Sequence, residues 1–382
     1  MATPLSICMV SDDFLPAMTG VGVHIKLVAP ELVRRGHRVS VITTRRKGEP
    51  EVEQWEGVTI YRVFTLKAYG FYQGLPSAAT VRAVLARAKP DLIHHHYVGI
   101  MMAQVCGVAQ AMGIRQVSTY HFSAEVLTQP LPMRPLRPLI RRLMVYYNNR
   151  FDLVIAPSQN LAKQIADEGV RSTVRYITNP VVFGDSAGVV PADRSTGFTV
   201  LYAGRLGPEK NIGYLIKAFA ALQKQVPDSV LWIAGRGPEG AALEALTAQL
   251  ALSADKVKFL GFLDHPSLAR YYAACDVFVL PSIQEAQPLV AMEAMWFGRP
   301  VIVTRAIVAA EEMVDQGVNG YIVDPDSVDD LTRRLATQAA DPALRAAQGA
   351  ASRKRAAAYQ PALVVDSLES AYHDLTAAHR QA

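Results

Sequence analysis

Two glutamates eight positions apart, Glu285 and Glu293, form the pattern with the clearest chemical use. Glu285 follows a predicted strand over 277–280, and Glu293 falls about two helical turns later, so both carboxylates can face one side. A carboxylate accepts hydrogen bonds well from the vicinal hydroxyls of a sugar or a ribose. Acidic placement at a helix N-terminus would also explain Glu285, but it explains Glu293 poorly. Glu293 stands among apolar neighbours, where a carboxylate needs a partner.

Two cations, Arg205 and Lys210, lie in the connection that follows a predicted strand over 199–202. A helix is predicted after Asn211, so both side chains can lie at the carboxyl end of that strand. Two cations there could neutralise a diphosphate leaving group without a metal ion. The alternative is a pair of solvated surface charges, which is the usual state of Arg and Lys in loops.

Two glycines, Gly20 and Gly22, precede a helix predicted over 24–35. Their backbone N–H groups could approach a phosphate, which the helix dipole also favours. Ile25 occupies the third glycine position of the G-x-G-x-x-G pattern, and this weakens the interpretation as a nicotinamide-dependent oxidoreductase. An ordinary strand-to-helix turn is an equally good explanation.

The segments that must hold these residues alternate between short β-branched runs and longer amphipathic stretches. In the first half, strands are predicted over 6–10, 38–43, 59–63, 92–94, 116–120 and 153–156, and helices over 24–35, 78–88 and 98–111. After a Gly-, Ser-, Asp- and Pro-rich stretch over 180–197, strands follow at 199–202, 230–234, 257–260, 277–280 and 300–303. This order predicts α/β architecture with two doubly wound domains, residues 1–180 and 197–361. A ligand cleft is expected between them, at the carboxyl ends of the strands.

Composition narrows the class of protein. The 382 residues are 50% hydrophobic, enough for two cores of about 150–200 residues each. The formal charge of +5 is a modest excess, so no nucleic-acid partner is expected, while nucleoside diphosphates or an anionic membrane surface are compatible with it. Three dispersed cysteines favour free thiols in a reducing compartment. With no signal-peptide pattern and no membrane-spanning run, a cytoplasmic location is predicted, with peripheral contact to the inner face of the membrane left open.

With its motifs in this order, the sequence resembles the retaining glycosyltransferases of family four, which have the GT-B fold. The resemblance covers nearly the whole chain, and the E-x7-E spacing is its most specific part. The other motifs that carry it are the segment from Gly20 to Gly22, RRGHRV (34–39), KPDLIH (89–94), TYH (119–121), APS (156–158), GR (204–205), EKN (209–211), GRGP (235–238) and GRPV (298–301).

The resemblance implies a role for each matching residue. Arg205 and Lys210 are implied to clamp the donor diphosphate, Glu293 to bind the ribose and Glu285 to contact the donor sugar. His121 is implied to reach the transferred sugar from the first domain, although a core or capping histidine is the alternative. The remaining implied donor-site residues are Gly20 and Gly22 at the phosphates or acceptor, Gly235, Gly237, Phe262 and Leu263 beside the base, and Leu289 and Val290 after the first glutamate.

One departure from the family pattern concerns the loop after Glu285. The family usually has glycines there, whereas this chain has Ala286 and Pro288, and Pro288 has no N–H to donate. Leu289 and Val290 still do. The departure leaves the donor-sugar preference open rather than the class of reaction.

The resemblance also implies the reaction. A hexose-type sugar would pass with retention from a nucleotide diphosphate sugar, UDP favoured over GDP, to a hydroxyl acceptor, and the leaving diphosphate would take the acceptor proton. No separate cofactor and no metal are expected, since Asp12-Asp13 and Asp324-Pro325-Asp326 are interpreted as turn formers rather than as a D-x-D metal motif at a strand end. His94, His95 and His96 are consecutive strand residues with side chains on opposite faces, so they are not expected to converge on one ion.

The acceptor is suggested by a basic amphipathic segment over 129–150. Its arginines include Arg134, Arg137, Arg141 and Arg142, a composition that can rest on anionic lipid and that is similar to family members that glycosylate lipids. An ordinary surface helix is the alternative, and a soluble acceptor or a lipid-linked glycan stays open. A C-terminal helix over about 362–382 is expected, by resemblance, to cross back onto the first domain.

Two rival functions stay open at this point. A polyanion-binding module without catalysis would use the basic segment, and it would leave the four residues Arg205, Lys210, Glu285 and Glu293 unexplained. A sugar-nucleotide hydrolase or epimerase would keep the same fold with a different reaction, because fold alone does not settle chemistry.

Overall fold

A computed structural model of the chain describes residues 3–16, 20–68, 71–96, 98–121, 124, 135–181, 188–193 and 197–380. The chain divides into two compact units. The first unit is Met1–Pro180 with Pro361–Ala382, and the second unit is Val181–Gln360. Each unit is built around its own largely parallel sheet, so the predicted α/β class with two doubly wound sheets is confirmed.

The sheet of the first unit has the strand order β10-β9-β8-β7-β1-β2-β4-β3, and β5 with β6 forms a separate hairpin. All neighbours in the large sheet are parallel except β3 and β4. The strands are β1 (Ser6–Val10), β2 (Arg38–Thr44), β3 (Val52–Trp55), β4 (Val58–Val63), β5 (Thr65–Ala68), β6 (Phe71–Gly74), β7 (Leu92–His95), β8 (Arg115–Thr119), β9 (Leu153–Ala156) and β10 (Thr173–Tyr176).

Helices alternate with these strands. They are α1 (Gly20–Arg34), α2 (Ala78–Ala88), α3 (Ile100–Ala111), α4 (Arg137–Asn148) and α5 (Gln159–Asp167). Ser77 and Ser158 begin α2 and α5, because their side chains accept hydrogen bonds from the amides of Thr80 and Leu161. The predicted helix start at residue 24 is wrong, since α1 begins at Gly20. Gly20 and Gly22 therefore lie in the first helical turn rather than in a loop before it.

The second unit has a fully parallel sheet in the order β13-β12-β11-β14-β15-β16. Its strands are β11 (Thr199–Ala203), β12 (Val230–Ala234), β13 (Val257–Gly261), β14 (Val277–Leu280), β15 (Val301–Thr304) and β16 (Gly320–Val323). Most of these strands are apolar along their whole length because helices cover both faces of such a sheet. The strand order reverses between β11 and β14, and that reversal is the position at which open α/β sheets bind ligands.

The helices of the second unit complete its two outer layers. They are α6 (Ile212–Gln223), α7 (Gly240–Gln249), α8 (His265–Ala274), α9 (Leu289–Trp296), α10 (Ala310–Met313), α11 (Val328–Ala340) and α12 (Pro342–Ala356), with 3-10 turns at Pro208–Lys210 and Ala357–Tyr359. Trp232, Tyr202 and Phe278 are among the fully buried side chains of this core.

The last helix, α13 (Pro361–Arg380), belongs to the first unit. Arg35 at the end of α1 donates to Asp366 at 2.6 Å and to Glu369 at 3.0 Å. Val365, Leu368 and the wholly buried Tyr372 pack into the core of the first sheet. The chain thus returns to its first unit after completing the second.

Candidate functional site

Lys210 and Glu285 meet at the carboxyl edge of the second sheet, where β11 and β14 are neighbours. Lys210 ends the 3-10 turn after β11, and Glu285 lies in the connection between β14 and α9. Their side chains form an ion pair and are 16% and 21% exposed. The amide of Ile283 donates to the carbonyl of Glu209 at 2.9 Å and ties the two connections together. A cation and an anion are thereby held at the switch point of the sheet.

Arg205 lies in the connection between β11 and the 3-10 turn and is held by Glu209, to which the sequence analysis assigned no role. The Nη2 atom of Arg205 lies 3.0 Å and 3.1 Å from the two carboxylate oxygens of Glu209. The Arg205 side chain is 52% exposed, whereas that of Glu209 is 10% exposed. Glu209 therefore orients the guanidinium of Arg205, while about half of the Arg205 side chain remains exposed.

Glu293 is buried in α9, with 5% of its surface exposed. The hydroxyl of Tyr272, from α8, donates to its Oε2 at 2.9 Å and supplies the partner that its apolar surroundings require. Burial raises the pKa of Glu293 to about 7, and the hydrogen bond from Tyr272 opposes this rise. Leu289 and Val290 occupy the first turn of the same helix, where amides have no acceptor within the helix.

Close backbone packing joins the connections after β11, β12 and β13. The amide of Leu206 donates to the carbonyl of Arg236 at 3.0 Å, and that of Gly235 to Gly261 at 2.7 Å. A Cβ at Gly235 would lie 1.8 Å from the Gly204 carbonyl, and one at Gly237 would lie 2.3 Å from the Leu206 carbonyl. Glycine is therefore needed at both predicted positions for steric reasons.

The two apolar residues predicted beside the base follow directly on β13. Phe262 is 71% exposed, and Leu263 is partly buried against the core. An exposed aromatic ring beside a glycine turn is suited to stacking on a planar ligand.

In the first unit, the predicted glycines sit at the N-terminus of α1. Gly20 is exposed, whereas Gly22 is buried and its amide lies 3.4 Å from Oδ2 of Asp13. The amide of Gly22 thus already has an acceptor, and both glycines belong to the first turn of α1.

His121 follows β8 and lies among other histidines. Its Nε2 is 3.2 Å from Nδ1 of His96, and its ring centroid is 5.1 Å from that of His24. Burial lowers the pKa of His24 to about 4 and holds the pKa values of His96 and His121 well below the ordinary value. These imidazoles are neutral at physiological pH.

The three consecutive histidines do not act together. Nδ1 of His94 lies 2.6 Å from the hydroxyl oxygen of Tyr372, and its Nε2 lies 2.7 Å from Oγ1 of Thr119. Nε2 of His95 lies 2.9 Å from Oε1 of Gln116. His94 is thus satisfied on both ring nitrogens. The structure instead places His96 with His24 and His121, a grouping that long-range contacts create and that spacing did not predict.

Within the basic segment, residues 137–148 form the amphipathic helix α4, and residues 129–134 lie outside the described part of the chain. Leu139, Leu143 and Tyr146 are exposed along one side. Arg141 and Arg142 are exposed, Arg137 is partly buried, and Arg134 lies outside the described residues. Among the described helices, none is both long and apolar enough to cross a membrane.

Comparison with known proteins identifies the family. Residues 18–183 match the family model described as Glycosyltransferase Family 4, and residues 190–355 match the model described as Glycosyl transferases group 1. The chain belongs to the family 4 glycosyltransferases. As a glycosyltransferase, it has the class of activity that the family resemblance implied.

Named relatives of this glycosyltransferase span both units. An uncharacterized glycosyltransferase of Methanocaldococcus jannaschii is 28% identical over 86% of this chain and 87% of its own length. The alpha-monoglucosyldiacylglycerol synthase of Streptococcus pneumoniae is 26% identical over 78% of this chain and 70% of its own length. Glycolipid synthesis is thus represented among the relatives.

Solved structures confirm the GT-B fold. Sucrose-phosphate synthase from Thermosynechococcus elongatus matches with a TM-score of 0.80 and 24% identity over 97% of this chain and 99% of its own. Anabaena HepE in complex with UDP-glucose matches with a TM-score of 0.75 and 20% identity over 97% of this chain and 100% of its own. At these identities the likeness concerns the fold.

Proposed function

We propose that this glycosyltransferase moves a hexose-type sugar, with retention, from a UDP-sugar to a hydroxyl acceptor. The observation that carries the proposal is the meeting of Lys210 and Glu285 at the switch point of the second sheet, with Glu293 buried in the helix that follows. Open α/β sheets bind nucleotides at this position.

The diphosphate binds at Lys210 and Arg205. Glu285 and Glu209 hold these two cations in place, so little side-chain ordering is left when the phosphates arrive. The first-turn amides of Leu289 and Val290 add donors at a helix N-terminus. Two cations and a helix end stabilise the leaving diphosphate, and the transfer needs no metal ion.

The ribose and base bind next to the diphosphate. Glu293 accepts from the vicinal ribose hydroxyls, with its Oε2 already oriented by Tyr272. Phe262 and Leu263 flank the base. They lie near the connection in which Gly235 and Gly237 allow close backbone packing. The complex of HepE with UDP-glucose supports uridine as the base.

Glu285 binds the donor sugar, and the family resemblance implies a neutral His121 as a second contact. Glu285 accepts from a sugar hydroxyl while it stays paired with Lys210, so it is oriented rather than exposed as a nucleophile. His121 is neutral and can accept or donate one hydrogen bond to the sugar. The acceptor hydroxyl attacks from the face that the diphosphate leaves, and the diphosphate takes its proton.

The acceptor is a lipid at an anionic membrane surface, which α4 contacts. Its exposed Leu139, Leu143 and Tyr146 supply an apolar side, and Arg141 and Arg142 supply positive charge. The name of the Streptococcus pneumoniae relative supports a diacylglycerol-type acceptor. The three described cysteines are free and buried, which fits a cytoplasmic enzyme working at the inner face of the membrane.

Transfer is tested with UDP-glucose and vesicles that contain diacylglycerol and an anionic lipid, with NMR of the anomeric proton reporting stereochemistry. Lys210→Ala should lower kcat/KM by about a hundredfold, since it removes one charge from the leaving diphosphate. Lys224→Ala, the same change at an exposed position after α6, should not alter it.

Three outcomes would overturn parts of the proposal. Full activity in Lys210→Ala would remove the diphosphate assignment. Release of UDP at one rate with and without any acceptor would indicate a hydrolase. An inverted product would contradict retention.

A further inference from the structure

We propose that His24, His96 and His121 form a binding site for a divalent late transition metal ion of the Zn²⁺ class. His24 comes from α1, His96 follows β7 and His121 follows β8. One ring nitrogen of each lies within 4.8 Å of the others. All three belong to the first unit, so metal binding does not need the donor residues of the second unit.

The hydrogen bond between His24 and Asn179 determines which ring nitrogen of His24 is available to a metal ion. Its Nδ1 lies 3.0 Å from Oδ1 of Asn179, an amide oxygen that can only accept, so Nδ1 carries the proton. Nε2 is then a bare lone pair, buried and without a hydrogen-bond partner in the described part of the chain. Metal-binding histidines characteristically donate their other N–H to an oxygen in this way.

His96 and His121 supply the other two nitrogens. Their facing atoms, Nδ1 of His96 and Nε2 of His121, are 3.2 Å apart. Nε2 of His96 is a second buried nitrogen with no partner among the described residues. Zn²⁺ binds imidazole nitrogens at about 2.0–2.1 Å. A separation of 3.2 Å between the two nitrogens therefore allows both to bind the same ion. Burial keeps the rings neutral, which is the form that binds metal.

A purely structural role explains these residues less well. His94, whose ring is tilted against that of His96 with centroids 3.9 Å apart, shows what such a role looks like, since both of its nitrogens are bonded. An unpaired buried nitrogen costs about 1–3 kcal/mol, and an ion bound at Nε2 of His24 would remove that cost. Three imidazoles without a carboxylate match a late transition metal rather than Mg²⁺ or Ca²⁺.

Metal binding here would inhibit transfer, and this consequence rests on the proposed function. The same His121 is proposed to reach the donor sugar, and a ring that ligates an ion is no longer available to a hydroxyl. Added Zn²⁺ should therefore lower the transfer rate, whereas a chelator should leave it unchanged or raise it.

The binding itself is tested on the full chain without nucleotide. Calorimetry with Zn²⁺ and visible absorption with Co²⁺ should report a single ion in a site of low coordination number. His24→Ala and His96→Ala should lose it, and Asn179→Ala should weaken it about 10–100-fold through the freed ring of His24. His373→Ala is the matched control, because His37, Glu369 and His373 form a second, more exposed group of possible ligands.

X-ray absorption of the Zn²⁺-loaded wild-type protein gives a readout that needs no variant to fold. The expected first shell contains three imidazole nitrogens at about 2.0–2.1 Å. No binding by the wild type, an oxygen-only shell, or an ion that persists in a folded His24→Ala protein would overturn the proposal. Loss of the ion in His373→Ala would place it at the other group and overturn it equally. Each result stands whether or not the protein transfers sugar.

Discussion

At the scale of single residues, the clearest prediction concerns Glu293, because its pKa of about 7 lies within the range of pH in which the protein works. Only the ionised carboxylate accepts from two ribose hydroxyls, and one pH unit below its pKa about a tenth of a carboxyl group is ionised. The affinity for UDP should fall about tenfold between pH 8 and pH 6. In Glu293→Gln this pH dependence should disappear, apart from the ionisation of UDP itself. Calorimetry at both pH values measures the affinity for UDP. An equal change in affinity with pH in the two proteins would contradict this assignment of Glu293.

The same carboxyl also predicts a pH effect on stability. Its pKa in the native state, about 7, exceeds the ordinary 4.5, so its favourable contribution to stability is complete below pH 4.5 and is lost as pH rises through 7. The Tm of Glu293→Gln, relative to wild type, should therefore rise over this window. The underlying change is about 1.4 kcal/mol for each unit between the two pKa values. Thermal unfolding at pH 4.5 and pH 8 tests it, and a relative Tm that falls would contradict the burial argument.

At this scale, sequence predicted the charged residues and missed their partners. The E-x7-E spacing and the apolar neighbours of Glu293 indicate a buried carboxylate. Nothing local indicates that Tyr272, from another helix, would hold it, or that Glu209 would hold Arg205. The histidine group was missed for the same reason, because only the sheet brings its members together.

At the scale of secondary-structure elements, the prediction concerns the glycines in the connections between neighbouring strands. Gly235 has φ +145° and lies against the Gly204 carbonyl, so Gly235→Ala forces the connections after β11 and β12 apart. We expect its Tm to fall by several degrees, as for a loss of about 2–3 kcal/mol. Gly107→Ala is the control, since it sits in α3 with nothing within 4 Å of its Cβ and should gain about 0.5–1 kcal/mol. An unchanged Tm for Gly235→Ala would contradict the packing argument.

Central strands that are continuous apolar runs were predicted well, whereas several edge strands were not, including the apolar and largely buried β16. Strands such as β1, β12 and β14 are continuous apolar runs with both faces covered, so composition indicates them directly. The edge strands β3 and β10, and the hairpin of β5 and β6, carry polar residues and depend on pairing, which no local pattern reveals. The helix start at Gly20 was missed because glycine is a poor helix former.

At the scale of the whole molecule, α4 predicts where the enzyme works. Wild-type protein should co-sediment with anionic vesicles, and the double change Leu139→Ser with Leu143→Ser should weaken this by about tenfold. Leu363→Ser, at a similarly exposed leucine of α13, should leave it unchanged. Equal binding by all three proteins would remove the membrane assignment while leaving the donor site untouched.

The central claim is that the second unit binds a nucleoside diphosphate, and one measurement tests it most directly. Calorimetric titration of UDP and GDP into wild-type protein and Glu293→Ala should give micromolar binding of UDP, weaker binding of GDP, and loss of UDP binding in the variant. If both folded proteins bind neither nucleotide, or if Glu293→Ala binds UDP as tightly as wild type, the donor-site account is wrong.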